Sequence, residues 1–289
     1  MKIEEILWPA PAKLNLMLRV IRRREDGYHE LQTVFQFLER GDRLRFRLRT
    51  DGTLRCTTPI PGVDESRNLA TLAARALQQA CGTSRGVEIE VHKRLPMGGG
   101  LGGGSSNAAT TLVVLNRLWE CGLSLDELAE IGRGLGADVP VFVHGRAAWA
   151  EGIGERLTPL EPPQPWYLVV VPPCHVSTAE IFSDSELTRN AEPITIRDFL
   201  AGRVENTCET LVRSRHPAVD EALEWLDRYT RGRLTGTGSC VFGEFDSREA
   251  AAAALEALPS SMTGFVSRGL NLSPLHRQLQ ELDGVSPSG

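Results

Sequence analysis

Apolar and polar residues alternate from Ala12 to Arg22 and again from Leu31 to Leu38, the period of strands with one buried face. Asp26-Gly27 between them is a turn signal, and Gly41-Asp42 predicts a second turn. After it, Arg43-Leu-Arg-Phe-Arg-Leu-Arg49 alternates strictly and puts Arg43, Arg45, Arg47 and Arg49 on one strand face. A solvated sheet face is the plainer reading of that row and outweighs the alternative, an anion-attracting surface. Asn68 to Ala80 carries an apolar stripe at helical spacing, with Ser66 or Asn68 near its cap. Val87, Ile89 and Val91 alternate with Glu88, Glu90 and His92 as a half-exposed strand, and from Ala108 to about Cys121 the apolar positions return to helical spacing.

Later elements follow the same logic. Ser124-Leu-Asp-Glu127 is a capping box opening a helix that ends between Gly132 and Gly136. Ala137-Asp138-Val139-Pro140 leads into Val141-Phe-Val143, which reads as a strand. Pro159 to Pro165 marks a boundary. Beyond it come a strand at Trp166–Val171, a mainly helical region from Asp198 to Tyr229, strands at Val241–Phe245 and Gly264–Val266, and a helix over Arg248–Leu258. Gly284 to Gly289 reads as a disordered tail. There is no internal repeat. A strand-rich start with interleaved helices predicts an α+β fold in two domains, 1–158 and 159–289.

Between the strand ending near His92 and the helix after it lies Pro96-Met-Gly-Gly-Gly-Leu-Gly-Gly-Gly-Ser-Ser-Asn107, six of whose twelve residues are glycine. Backbone N–H groups of such a loop, backed by a helix dipole, form a site for phosphate. Ser105 or Ser106 stands where an N-cap is expected. A flexible linker is the plain alternative, but linkers seldom join a patterned strand to a patterned helix. Gly98, Gly100 and Gly103 formally satisfy the dinucleotide fingerprint, yet a second helix follows where that fingerprint needs a strand. A Walker A loop needs a lysine that this loop lacks. Phosphates here would be held by backbone amides and serines.

The 289 residues are 41% hydrophobic and 24% charged, ordinary for a globular protein, and the net charge of −5 argues against general nucleic-acid binding. No apolar run reaches membrane-helix length and no signal-peptide pattern opens the chain, so a cytoplasmic protein is expected. The six cysteines are scattered without C-x-x-C, which predicts reduced thiols, and the histidines show no metal-ligand spacing, so no protein metal site is expected. Taken singly, Lys13 on the first strand reads as a snorkelling surface residue, and Asp138 reads equally as a turn-former or a catalyst.

Together these segments resemble a known family. Pro11-Ala-Lys-Leu-Asn15, the Pro96–Asn107 loop and Leu234-Thr-Gly-Thr-Gly-Ser239 are similar to the three motifs of the GHMP small-molecule kinases. Asp26-Gly-Tyr-His29, Leu135-Gly-Ala-Asp-Val-Pro-Val-Phe142 and Asn271-Leu-Ser-Pro-Leu275 resemble one branch of them, the 4-diphosphocytidyl-2-C-methyl-D-erythritol kinases. The likeness runs in order from Trp8 to Arg277, and no motif position departs from it. It implies a nucleotide-binding N-terminal domain, a substrate-binding C-terminal domain and an active site in the cleft between them. It also implies ATP and Mg²⁺ as cofactors, and transfer of the γ-phosphoryl group to a tertiary hydroxyl, the 2-hydroxyl of a cytidyl diphosphate methylerythritol.

By the same resemblance, Asp138 accepts the hydroxyl proton and Lys13 supplies positive charge beside it. Pro96, Gly98, Gly99, Gly100, Leu101, Gly102, Gly103, Gly104, Ser105 and Ser106 wrap the ATP phosphates, with a serine hydroxyl near Mg²⁺. Asn68 and Lys93 border the nucleoside. Tyr28, His29 and Phe182 hold the cytosine; plain core packing of Tyr28 and Phe182 is the lesser alternative even without the resemblance. Asn15 lies near the reacting end, and Thr237 and Gly238 line the cleft from the other side. The expected partners are the two small molecules, with neither nucleic acid nor membrane, and a monomer or weak homodimer. Homoserine-type or mevalonate-type kinases are the nearest alternative. A non-catalytic nucleotide-binding module is the more distant one, and the presence of both Lys13 and Asp138 speaks against it.

Overall fold

The computed structural model describes residues 5–60, 62 and 64–284. The first half runs β1 (Trp8–Arg23), β2 (His29–Arg49), β3 (Leu54–Cys56), α1 (Leu69–Ala80), β4 (Gly86–His92), α2 (Gly103–Leu118), α3 (Leu125–Arg133), α4 (Val139–His144), β5 (Ala148–Gly152) and β6 (Arg156–Pro159). The second runs β7 (Trp166–Val171), α5 (Thr178–Ser183), α6 (Ile196–Leu200), α7 (Glu209–Arg215), α8 (Pro217–Leu226), β8 (Arg233–Leu234), β9 (Val241–Phe245), α9 (Arg248–Glu256), β10 (Thr263–Leu270) and α10 (Pro274–Leu282). The mixture is α+β, as the patterning predicts.

One long strand organises the sheet. β2 pairs antiparallel with β1 over nearly its whole length, with β4 through Arg43–Arg49 and with β5 through Leu31–Phe35. β10 joins it at Leu38 and Phe37 and carries the sheet on to β7, β9 and β8. Three apolar clusters fill the molecule. The first packs α1, α2, α3 and α4 against β1, β2 and β4, with Trp8, Phe37 and Phe46 at its centre. The second packs α7, α8 and α9 against β7 and β9. The third lies between them, and Leu101 and Cys240 bring the two glycine loops onto it together with Leu14, Tyr167 and Phe242. The last helix folds back, so that Leu275 buries in the first cluster.

Three predictions are corrected here. Gly41-Asp42 is not a turn but part of the continuous β2. A Cβ on Gly41 would stand 2.3 Å from the Ala10 carbonyl oxygen, so glycine there lets two strands approach, and the register breaks between Pro11↔Gly41 and Lys13↔Phe37. Val141–Val143 is helical within α4. Pro140 sits in its first turn, where a missing N–H is harmless, and a short run buried on all sides carries no period to read. The third is the start of α2, whose N-cap is Gly102. The row of strand arginines is a solvated face: Arg45 pairs with Glu90 at 3.1 Å and Arg49 with Glu88 at 2.6 Å on β4. All six cysteines are free thiols, with the sulfurs of Cys81 and Cys121 2.6 Å apart. Residues 285–289 of the expected tail lie outside the described residues.

Candidate active site

The glycine loop is held at its entrance by one carboxylate. Asp42, its side chain fully buried, accepts the N–H of Arg94 at 2.7 Å, the N–H of Leu95 at 2.9 Å and the ammonium of Lys93 at 2.5 Å. The chain then needs left-handed backbone at Gly98, Gly100 and Gly102, with φ of 67°, 75° and 71°. The N-cap of α2 is Gly102, with no side-chain cap, so neither Ser105 nor Ser106 caps it; both stand inside the first turn. A left-handed glycine turns the chain straight into the helix and makes a capping side chain unnecessary. The first helical bond is from Ser106 N–H to the Gly102 carbonyl. The N–H groups of Gly103, Gly104 and Ser105 therefore have no partner in the helix, and no acid sits in its first turn. Such a set of free N–H groups can hold an anion.

Those N–H groups border a cavity of about 360 Å³ lined by every residue from Pro96 to Ser105 and by Asn68 and Lys93. Asn68 is the N-cap of α1, its side-chain oxygen accepting the N–H of Ala70. Leu101 also belongs to the central core, and its carbonyl accepts the Lys13 N–H. Ser106 does not line the cavity; it is buried and its hydroxyl has no partner.

A second cavity of about 600 Å³ shares Gly100 and Ser105 with the first, so the two meet there. Lys13 and Asp138 stand at the junction. Lys13, 3% exposed, is a buried cation rather than a snorkelling one. Its ammonium contacts the Asp138 carboxylate at 3.1 Å, Asn15 Oδ1 at 2.5 Å and the Gly100 carbonyl at 3.1 Å, above the Phe35 ring. Asn15 donates in turn to the Thr33 hydroxyl, and its own N–H reaches the Thr235 hydroxyl. Asp138 precedes α4 but caps none of its N–H groups. Its side chain is one-third exposed to the cavity side, so a carboxylate held by lysine still has oxygen to offer a ligand.

The far end of the second cavity holds Tyr28, His29 and Phe182. The Asp26 carboxylate accepts the Tyr28 N–H, and Gly27 takes φ of 86°, which throws Tyr28 outward to 60% exposure. The His29 ring stacks on Phe182 with centroids 4.9 Å apart, so these two rings touch each other rather than facing across an open slot. Burial, and then the charges of Arg189 and Arg23, hold the His29 pKa below its ordinary value. Thr237 lines the cavity and bonds the Thr178 hydroxyl at 2.8 Å. Gly238 does not line it: its hydrogen faces Leu234, Val176 and Val212 in the apolar core, and Gly236 takes the cleft position. Sequence reasoning also missed Asp42, disguised as a turn residue, and Thr178 and Arg189, which carry no pattern at all.

Comparison with known proteins points to one family. Residues 68–146 match the model of the GHMP kinases N terminal domain, and residues 194–264 that of the GHMP kinases C terminal. A 4-diphosphocytidyl-2-C-methyl-D-erythritol kinase of Nitrosococcus oceani is 56% identical over 93% of this chain and 96% of its own. One of Pseudomonas syringae pv. syringae is 55% identical over 98% and 100%. A crystal structure of a 4-(cytidine 5'-diphospho)-2C-methyl-D-erythritol kinase superposes with a TM-score of 0.80 at 34% identity, over 91% of this chain and 99% of that one. A mevalonate kinase structure, at 0.67 and 14% identity, shares the fold alone.

Proposed function

The chain belongs to the GHMP kinases, in the branch of the 4-diphosphocytidyl-2-C-methyl-D-erythritol kinases, and on that premise we propose that it transfers the γ-phosphoryl group of ATP to the 2-hydroxyl of 4-diphosphocytidyl-2-C-methyl-D-erythritol. The products are ADP and the 2-phosphate, in the non-mevalonate route to isoprenoid precursors. The observation that carries the reading is the Lys13–Asp138 pair at 3.1 Å, placed where the two cavities meet at Gly100 and Ser105.

ATP lies in the loop cavity with its phosphates on the free N–H groups of Gly103, Gly104 and Ser105 and its γ-phosphoryl end toward Gly100. The cytidyl substrate lies in the second cavity, its base at Tyr28, His29 and Phe182 and its 2-hydroxyl at Asp138. A tertiary alcohol is a poor nucleophile while protonated; the Asp138 carboxylate accepts that proton as the hydroxyl oxygen bonds to phosphorus. Lys13 neutralises charge gathering on the transferring group. The rest of the catalysis is alignment of the two substrates across a cleft between 1–158 and 159–289.

Mg²⁺ fits this site. Among the described residues no three His, Cys, Asp or Glu side chains cluster, but an ion held chiefly by nucleotide phosphates needs few protein ligands. The hydroxyl of Ser105, which lines both cavities, is the group that would hold it, with the unpartnered buried hydroxyl of Ser106 one residue behind, and it would neutralise phosphate charge. A cytoplasmic location belongs to the proposal; no described helix is long and apolar enough to cross a membrane. The test is phosphotransfer from ATP to the cytidyl substrate, mevalonate and homoserine in parallel. Transfer to the first alone is expected, and transfer to either of the others at a comparable rate refutes the assignment.

A further inference from the structure

Arg189 lies outside every motif, between α5 and α6, yet it makes four hydrogen bonds beside the base end of the cavity. Its Nη2 donates to the carbonyls of Phe182 at 2.8 Å and Asp184 at 2.6 Å, and its Nη1 donates to that of Leu187 at 3.2 Å. Its Nε donates to His29 Nε2 at 3.1 Å. One guanidinium thus ties down the C-terminal end of α5, which carries Phe182, and the imidazole on which Phe182 stacks.

The direction of the last bond has a chemical consequence. A guanidinium has donors only and keeps its charge at any physiological pH. His29 Nε2 must therefore present its lone pair, and the ring proton must sit on Nδ1. One ring face is covered by Phe182. Among the described residues no protein group pairs with Nδ1, and His29 lines the cavity. A single N–H donor is left for a ligand. At its Watson–Crick edge cytosine offers an acceptor at N3, where uracil carries N3–H.

We infer that Arg189 is a positioning residue for base selection: by holding His29 in the Nδ1–H tautomer and fixing the end of α5 that carries Phe182, it makes the cavity accept cytosine and reject uracil. The inference rests on the functional reading above and deepens it. The charges acting on His29 are Arg189 from the facing segment and Arg23, its cross-strand partner on β1. Both are cations, and with burial they oppose a second ring proton.

The first test uses the wild-type protein. Long-range ¹⁵N–¹H spectra of its histidines, with His29 assigned through His29→Gln, should show protonated Nδ1 and bare Nε2. The second ring proton of His29 should bind at lower pH than in an ordinary histidine, in the direction that burial and the two arginines impose. Calorimetry with CDP and UDP should show CDP binding about tenfold or more tighter, because a donor facing a donor leaves both unsatisfied. In Arg189→Ala that ratio should fall toward one, with KM for ATP unchanged. The variant's KM for the cytidyl substrate should rise about tenfold near pH 8 and partly recover below about pH 6.5, where imidazolium again carries the Nδ1 proton. A merely structural loss would raise KM equally at every pH. An Nε2–H tautomer in the wild type, equal wild-type affinities for CDP and UDP, or a CDP preference retained in Arg189→Ala overturns the inference. Absence of wild-type transfer to the cytidyl substrate would instead overturn the functional reading, which the spectra do not depend on.

Discussion

Replacing Asp138 by asparagine keeps the side-chain shape and removes the proton acceptor. Two effects must be separated. The first is stability. At 3.1 Å and an effective dielectric of about 20, the attraction between Lys13 and Asp138 is about 5 kcal/mol in gross terms. Asp138 is one-third exposed, so water screens much of that and had less desolvation to undo. Lys13 keeps Asn15 Oδ1 and the Gly100 carbonyl as acceptors, so it is not stranded. A net loss of about 1–2 kcal/mol follows, below the ~3–5 kcal/mol seen when a buried ion is left without any partner. A domain with roughly 5–15 kcal/mol of stability stays folded, with Tm lowered by several degrees. The second effect is chemical. Loss of a general base should lower kcat by roughly 10²–10⁴, or about 3–5 kcal/mol on the barrier. Because Asp138 does not line the loop cavity, Kd for ATP should hardly change. The assay is coupled ADP release at saturating substrates, with calorimetry for ATP and a melting curve for the fold. A folded Asp138→Asn enzyme with kcat within tenfold of wild type would refute the assignment of Asp138 as base.

Other outcomes follow from the same geometry. Gly100→Ala would force a side chain onto φ of 75° and put its Cβ 2.4 Å from the Thr235 carbonyl oxygen. We expect a loss of about 1–3 kcal/mol, seen as a lower Tm, and weaker ATP binding; wild-type values for both would mean the loops need not touch. Tyr28→Ala should leave Tm unchanged, because the ring is 60% exposed, but raise KM for the cytidyl substrate about tenfold, as loss of one base-stacking aromatic does. An equal rise in KM for ATP would remove Tyr28 from the base pocket. Burial pushes His276 down to about 4, so the folded protein leaves it neutral while the unfolded chain, near 6.5, binds a proton. Stability from this group is therefore intact above about pH 6.5 and falls as pH drops toward 4, by roughly 2 kcal/mol at about pH 5. Urea unfolding at several pH values checks it, and a His276→Gln variant with the same acid slope would show that another group is responsible.

How much of this could be read from residues alone depended on whether the interactions were local. Alternation and stripes are local, so β1, β4, α1 and α3 emerge from the pattern, and the Asn68 and Ser124 caps with them, since a cap bonds within its own first turn. A phosphate cradle could be proposed for the glycine loop from sequence because glycine and serine between strand and helix leave few other uses. Misreadings fall where distant chain decides. Gly41 looks like a turn until Ala10 is seen beside it, Val141–Val143 has no period because every side is covered, and the cap of α2 lies at Gly102 because the loop bends back onto the Thr235 strand end.

The site divides along the same line. Singly, Lys13 read as a surface residue and Asp138 equally as a turn-former; the resemblance of the ordered motifs to a kinase family is what named them as partners. That they sit 3.1 Å apart where two cavities join is a product of the β1–β2 bulge, the buried Asp42 and the shared core beneath both loops. Gly238 and Gly236 are alike in sequence, yet only packing decides which faces the cleft. Arg189 leaves no trace in the pattern, because an arginine in a loop is usually solvated; its four hydrogen bonds exist only once the turn after α5 folds over His29. Local periodicity and caps thus determined the elements, and the family resemblance of the motifs the class of reaction. Tertiary structure alone set which distant groups lose their water together, and so which of them become a site.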